Sequence, residues 1–297
     1  MTILLLAAWL LPAGETDCVA LVHAAEAAYR QREYLAAARG FAQAVSVCPP
    51  NRQLRLAHAQ AQLLSGQLKE ALQTIEQQLA ALPGDAQALK LKADVLYLLG
   101  QVSEAIEVAK TAVALDPASI DARYALGRML YHAGRFEESA QVFEAILRQQ
   151  PGHYRAHDNL ALCYQALGRD RDAERQFLQT LQLVYKDHPE YDVVYANFAE
   201  FYLQRGHSEK AFQLAAEASR RNPSNARNLY LTGKALWKLG KLEQSIRWLE
   251  QAVKLDPDYQ EAWYLLAAAW RKQGDAARAD AALSTFRQLS ERPKARR

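Results

Sequence analysis

Glycine and proline are scarce in this chain. The sequence holds 13 glycines and 10 prolines among 297 residues, while 50% of its residues are hydrophobic. A chain so poor in helix breakers, and dominated by alanine and leucine, favours an all-helical protein. Its charged fraction of 23% is too low, and its hydrophobic content too high, for an intrinsically disordered chain.

The chain also lacks a strong excess of charge of one sign. Its formal net charge at neutral pH is +3. Proteins that bind nucleic acids usually carry a larger and more clustered basic excess. We therefore expect no nucleic-acid partner, and the net charge alone says little about other partners.

Long hydrophobic runs are missing except at the N-terminus, where residues 3–11 are all apolar. Nine residues of helix rise about 13–14 Å, which is too short to cross a hydrocarbon core about 30 Å thick. The run has instead the length of the apolar core of a secretory signal, and Leu11-Pro12-Ala13 provides a small-residue cleavage site. We interpret residues 1–13 as a signal peptide and residues 14–17 as a short leader.

This interpretation predicts export, to a bacterial periplasm or by secretion, and no membrane span in the mature chain. No lysine or arginine precedes the apolar run, contrary to the usual pattern of such signals. A leader that packs on the folded protein, or a mis-assigned start codon, is the alternative. A cytoplasmic location then follows.

Recognisable catalytic and cofactor motifs are also missing. The sequence has no nucleophile elbow, phosphate-binding glycine loop, HExxH motif or dinucleotide fingerprint. His153 and His157 are four residues apart and could share a metal on one helix face, but no third ligand has suitable spacing. We therefore predict that the protein needs no cofactor or metal and is not an enzyme.

The prolines that do occur recur at a fixed interval. The interval is 34 residues, with one exception of 38, along the series Pro49, Pro83, Pro117, Pro151, Pro189, Pro223 and Pro257. A repeat length of about 20 to 50 residues indicates stacked supersecondary units. When the proline is numbered position 32 of each unit, the first unit starts at Cys18.

Three further columns follow the same register. Position 8 is alanine or glycine and position 20 is alanine or serine in all eight units, as two closely crossing helices require. Position 15 is glycine in every unit but the first, which has Arg32. Glycine suits this position because it closes a helix in the left-handed conformation without a steric penalty.

These columns resemble those of the tetratricopeptide-repeat (TPR) family, over Cys18 to about Pro293. The resemblance implies an all-α, right-handed superhelical α-solenoid of about eight 34-residue hairpins, each made of a helix A and a helix B. The related pentatricopeptide family, which binds RNA, fits less well in period and glycine pattern. The solenoid is expected over residues 18–293, followed by a basic tail at 294–297, with units starting at 18, 52, 86, 120, 154, 192, 226 and 260.

The fifth unit departs from the period by four extra residues late in helix B. We interpret residues 181–188 as about one more helical turn followed by a lengthened connection. A tolerated insertion explains this as well as a dedicated site does.

Two of the three cysteines fall at neighbouring ends of the first hairpin. Cys18 starts helix A and Cys48 ends helix B, and these ends lie side by side when the helices are antiparallel. The register therefore predicts a Cys18–Cys48 disulfide, which needs an oxidising compartment; two unrelated thiols are the alternative. Cys163 lies inside a helix A and is expected to be a buried small hydrophobe.

In the family that the chain resembles, positions 2, 5, 9, 12 and 13 of helix A face a concave groove that binds a partner. Here they are rich in tyrosine, tryptophan and arginine, the usual anchors of binding surfaces, and an ordinary solvated face is the alternative. The candidate residues are Tyr97, Tyr124, Arg128, Tyr131, Arg155, Arg227, Tyr230, Lys234, Trp237, Lys238, Tyr264 and Arg271. Because units seven and eight are particularly basic, an acidic segment or a chain-terminal carboxylate is the expected ligand there.

The sequence thus predicts a non-catalytic protein–protein interaction scaffold or adaptor that binds a peptide or protein segment in its groove. A structural solenoid that self-associates into a homo-oligomer, or a cytosolic adaptor, is the alternative. The carboxylate clamp of chaperone-tail binders has lysine at position 5 and asparagine at position 9. No unit has this pair, since Lys90 is followed by Asp94.

Overall fold

The structure is a computed structural model, and it describes residues 13–292. The predicted signal peptide, except for Ala13, and the predicted basic tail lie outside the described residues. The described residues form sixteen α-helices and no strand. In chain order these are α1 Ala13–Arg30, α2 Tyr34–Val47, α3 Arg52–Leu64, α4 Leu68–Ala81, α5 Ala86–Leu98, α6 Val102–Leu115, α7 Ile120–His132, α8 Phe136–Gln149, α9 Tyr154–Ala166, α10 Asp170–Asp187, α11 Val193–Gln204, α12 Ser208–Arg221, α13 Ala226–Lys238, α14 Leu242–Leu255, α15 Gln260–Gln273 and α16 Ala276–Glu291.

The chain divides into two compact units, Met1–Ile146 and Leu147–Arg297, with the boundary inside α8. In the first unit α1 packs on α2, α3 on α4 and α5 on α6, and each hairpin contacts the next. In the second unit α9 packs on α10, α11 on α12, α13 on α14 and α15 on α16, again in sequence order. Odd-numbered helices are therefore the A helices and even-numbered helices the B helices. The predicted all-α fold of stacked hairpins is confirmed.

The glycine column ends the A helices as expected. Position 15 has positive φ in all eight units, from 63° at Arg32 to 94° at Gly274. Arg32 adopts the same conformation as the glycines, although its Cβ makes that conformation unfavourable. The turn geometry therefore holds even where the sequence departs from glycine.

The small-residue columns lie where the two helices of a hairpin cross. Ser139 on α8 donates its hydroxyl to the carbonyl oxygen of Gly127 on α7 at 2.7 Å, and Ser245 donates to Gly233 in the same way. A Cβ built on Gly127 would lie 2.8 Å from the ring of Phe143. Glycine thus occurs where the facing side chain is too large for alanine.

The N-terminal hairpin is closed by the predicted disulfide. Cys18 on α1 and Cys48 at the end of α2 are bonded, with their Cα atoms 5.2 Å apart. Helix α1 begins at Ala13, so residues 14–17 lie within this helix. Cys163 is buried and lies outside the disulfide, as predicted. Across residues 13–292 no helix has both the length and the apolarity that a bilayer crossing requires.

The fifth hairpin contains the predicted longer helix B. Helix α10 has 18 residues, against 14 in α4, α6, α12 and α14, so the insertion adds one helical turn. The connection that follows is also longer, and α11 begins at Val193 instead of at residue 192.

Candidate partner-binding surface

The predicted groove residues lie on A helices in both compact units. In the first unit, Tyr97 lies on α5, and Tyr124, Arg128 and Tyr131 lie on α7. In the second unit Arg155 lies on α9, the set Arg227, Tyr230, Lys234, Trp237 and Lys238 on α13, and the pair Tyr264 and Arg271 on α15.

The tyrosines of the first unit are half-buried rather than freely exposed. Tyr97 and Tyr131 both contact His132, with ring centroids 6.1 and 5.7 Å from the imidazole. Tyr124 packs edge-on against Phe143 at 5.8 Å. These rings therefore pack against neighbouring side chains as well as forming part of the surface.

Arg128 on α7 is exposed and adds a positive charge to this part of the surface. Desolvation, followed by the Arg128 charge, lowers the pKa of His132. Lys90 in this unit forms an ion pair with Asp94, one helical turn away, with its ammonium group 2.8 Å from the carboxylate.

In the second unit a buried carboxylate joins two A helices. Asp158 on α9 is 1% exposed and accepts hydrogen bonds from the Tyr191 hydroxyl at 2.8 Å and from Asn197 Nδ2 at 3.2 Å. Burial raises the pKa of Asp158 to about 6, although these hydrogen bonds and the charge of Arg227 act in the opposite direction. Asp158 thus holds α11 to α9 from within, and its carboxylate is closed to a ligand.

The fifth-unit insertion supplies part of this joint. Tyr191 lies in the lengthened connection, and its ring also packs on Tyr154 at a centroid distance of 4.9 Å. His188, at the end of the longer helix, also packs on Tyr154, with ring centroids 4.2 Å apart. Sequence reasoning missed Tyr191 and Asn197 as part of the surface; the 38-residue interval was the one signal that pointed there.

Arg227, a predicted groove cation, has its charge balanced within the protein. Its guanidinium donates to Glu200 at 2.6 Å and to the side-chain carbonyl of Asn197 at 3.1 Å. Next to it Tyr230 packs on Tyr259 with ring centroids 5.0 Å apart. Burial, assisted by the charges of nearby glutamates, raises the pKa of Tyr230 to about 12, so this phenol stays protonated.

Trp237 lies among lysines. The ammonium groups of Lys238 and Lys272 are 5.2 and 5.9 Å from its ring, and that of Lys234 is 5.4 Å from the ring of Tyr230. We call Trp237, Tyr230, Lys234, Lys238 and Lys272 the lysine–tryptophan cluster. Lys238 and Lys272 are exposed, while Trp237 and Lys234 are half-buried.

The remaining predicted residues of this unit contact their own hairpins. Tyr264 packs on Phe286 of α16 at 5.3 Å but remains 57% exposed. Arg271 donates to Asp280 at 2.7 Å, which neutralises its charge. Arg155 is exposed and donates from Nε to the hydroxyl of Tyr154 at 3.2 Å.

The histidines considered as metal ligands are used in local hydrogen bonds. His153 caps α9 by accepting from the backbone N–H of Ala156 at 3.0 Å. The ring nitrogens of His157 lie 2.6 Å from Gln176 Oε1 and 2.9 Å from the carbonyl oxygen of Pro151. Within residues 13–292 no three His, Cys, Asp or Glu side chains are grouped so as to hold a metal ion.

The chain matches sequence models described as tetratricopeptide repeats. They cover residues 56–120, 92–154 and 130–192, and a further TPR repeat model covers residues 233–274. Together these matches span more than half of the chain.

Individual proteins show the same resemblance. The chain is 31% identical over 87 residues to the TPR repeat-containing protein YpiA of Bacillus subtilis (strain 168), a stretch that is 29% of this chain and 21% of that protein. The matched part is thus about a fifth of the length of YpiA.

Solved structures share the fold at low identity. A tetratricopeptide repeat protein from Parabacteroides merdae ATCC 43184 superposes with a TM-score of 0.67 at 19% identity, over 86% of this chain and 99% of that one. PilF of Pseudomonas aeruginosa superposes with a TM-score of 0.61 at 20% identity, over 73% of this chain and 97% of that one. At such identities the likeness concerns the fold alone.

Proposed function

Because this chain belongs to the tetratricopeptide-repeat family, we propose that it is a scaffold outside the cytoplasm that binds a segment of another protein on its A helices. Members of the family are typically protein-interaction scaffolds and usually non-catalytic. Stacked helical hairpins present extended surfaces of adjacent A helices, which suits the binding of extended segments.

The observation that carries the proposal is the surface formed by α13 and α15. Tyr230 and Trp237, which are half-buried against the hairpin core, lie there beside Lys234 and Lys238, which form no ion pair among the described residues. Aromatic rings that lose little side-chain entropy on binding are the usual anchors of an interface. The basic character of the same surface favours a partner segment with acidic residues or a chain-terminal carboxylate.

The Cys18–Cys48 bridge supports a location outside the cytoplasm. Structural disulfides form and persist in oxidising compartments, whereas cytosolic thiols are kept reduced. An apolar segment of the length of a secretory signal precedes this hairpin in the sequence. The disulfide and the apolar segment are independent features, and both support a location outside the cytoplasm.

Partner capture tests the binding proposal. We expect a triple variant Tyr230→Ala, Lys234→Ala, Trp237→Ala to lose partner proteins that the wild-type chain captures from extracts of its own source. A matched triple variant on α10, with Leu178, Tyr185 and Lys186 each changed to alanine, removes similar side chains from a B helix and should keep them. Equal recovery by both variants, with unchanged circular dichroism, would exclude the α13–α15 surface.

The mass of the mature protein tests the location. We expect a chain that begins at Gly14, after cleavage behind Ala13, with Cys18 and Cys48 linked. An intact N-terminus together with two free thiols would place the protein in the cytoplasm instead, and would leave the binding proposal standing.

A further inference from the structure

The lysines of the lysine–tryptophan cluster have no acidic partner in the described part of the chain. Three acidic side chains of this part of the chain pair with arginines, Glu200 with Arg227, Asp280 with Arg271 and Asp275 with Arg278, at 2.5 to 2.7 Å. Glu261 lies near enough to Tyr230 for its charge to add to the burial that raises the pKa of that phenol. Among residues 13–292, no ion pair between α13 and α16 involves a lysine.

These lysines also repel one another. Lys234 and Lys238 are four residues apart on α13, so their ammonium groups extend from the same helix face. Lys272 of α15 belongs to the same cluster of lysines, because the ring of Trp237 lies within 6 Å of the ammonium groups of both Lys238 and Lys272. Like charges at this spacing destabilise a helix slightly, whereas the cation–π contacts with Tyr230 and Trp237 offset that cost, so the cluster is not a strong source of hairpin stability.

The indole N–H group of Trp237, at the centre of the cluster, donates no hydrogen bond to the described residues. Its nitrogen, Nε1, is buried. Leaving a buried donor without an acceptor costs about 1–3 kcal/mol. A small movement of this half-buried ring on ligand binding would let an incoming oxygen accept from it.

From this geometry we propose that the cluster is an anion subsite for an acidic segment in which carboxylates flank an apolar side chain. Carboxylates pair with the ammonium groups of Lys234, Lys238 and Lys272, and the apolar side chain packs on the exposed part of Trp237. The inference rests on the proposed scaffold function and makes it specific. It also favours Lys234, Lys238 and Lys272 over Arg227 and Arg271 as the cations that bind a ligand, because the two arginines pair with Glu200 and Asp280.

Binding of labelled peptides to the full mature chain tests the subsite. The probe is a peptide in which glutamates flank a tryptophan, compared with its glutamine isostere and with a form that ends in a free carboxylate. We expect the glutamate peptide to bind more tightly than the isostere and to weaken as salt rises, because exposed charges are screened. If only the peptide with the free C-terminal carboxylate binds more tightly, the ligand of the cluster is a terminal carboxylate and not a pair of flanking acids. That result would overturn the proposal.

Single lysine variants locate the site. Lys238→Gln and Lys272→Gln should each weaken binding of the glutamate peptide about two- to five-fold, the range of exposed charge pairs. Lys241→Gln is the matched control, because Lys241 is exposed, lies 5.9 Å from the ring of Phe212 and forms no ion pair within residues 13–292. An equal effect of all three variants would mean that only overall charge matters, which refutes a built subsite.

The failure of this inference is distinguishable from that of the scaffold function. If the glutamate and glutamine peptides bind equally, the anion subsite is refuted. The scaffold function then stands as long as partner capture still depends on Tyr230, Lys234 and Trp237.

Discussion

Raising the pH should destabilise the second compact unit through Asp158. This carboxyl is fully buried, and burial raises its pKa from 3.8 to about 6. The folded chain therefore binds the proton more tightly than the unfolded chain does. The stabilising contribution is fully present below the unfolded pKa of 3.8 and is lost as the pH rises through about 6.

The size of the effect follows from the shift in pKa. A difference of about two units between the folded and unfolded states corresponds to about 3 kcal/mol of unfolding free energy. The loss falls mainly between about pH 4 and about pH 6.5. It is a large fraction of the stability of an ordinary domain, so it should be measurable.

Urea unfolding of the wild type and of Asp158→Asn, compared across this pH range, measures the effect. Tryptophan fluorescence reports on the second unit, which contains four of the five tryptophans. Asparagine cannot ionise, and other groups titrate equally in both proteins, so the difference in unfolding free energy isolates Asp158. The amide of the variant meets Nδ2 of Asn197, which adds a constant offset but no slope.

We expect the wild type to lose stability relative to Asp158→Asn as the pH rises. A difference that stays constant with pH would show that Asp158 has an ordinary pKa. A difference that changes in the wild type's favour would show that Arg227 and the hydrogen bonds outweigh burial. Either result refutes the reasoning.

Three further predictions concern stability and are checked by thermal unfolding. Arg32→Gly should raise the unfolding free energy by about 0.5–1 kcal/mol, because Arg32 has φ 63° and glycine adopts this conformation without strain; a lower melting temperature would contradict this. Gly127→Ala should lower it by about 1 kcal/mol, since steric crowding of the core exceeds the gain in helix propensity, whereas Gly152→Ala, with open space around its Cβ, should have little effect. Replacing Cys18 and Cys48 by serine should cost about 3–4 kcal/mol for a loop with a sequence separation of 30; reduction of the wild type should reproduce the loss, and no change on reduction would contradict it.

The fold of this protein could be predicted from local columns because each hairpin depends mainly on its own sequence and its neighbours. The glycines at position 15 mark the ends of A helices, and the small residues at positions 8 and 20 mark the crossings. The same register placed Cys18 beside Cys48. The start of α1 at Ala13 was not predictable, because no proline or glycine column marks the beginning of the first unit.

The candidate surface was predictable only in part. Position within a repeat indicates which helix face a residue lies on, but it does not indicate whether its charge is balanced. Arg227 and Lys238 both occupy predicted groove positions, yet Arg227 bonds Glu200 and Asn197 while Lys238 lies over Trp237. Whether a charge is balanced depends on distances between side chains of different repeats.

The sequence by itself determined the repeat, the register, the hairpins and the position of the disulfide, because these follow from steric requirements that recur in every unit. Only the tertiary structure decided which cations remain available, that Tyr191 from the insertion bonds Asp158, and that burial raises the pKa of Asp158. Electrostatic interactions depend on burial and on distances of a few ångströms between residues about 30 to 40 positions apart in the chain. A repeat pattern describes what the units share, whereas binding depends on the side chains in which they differ.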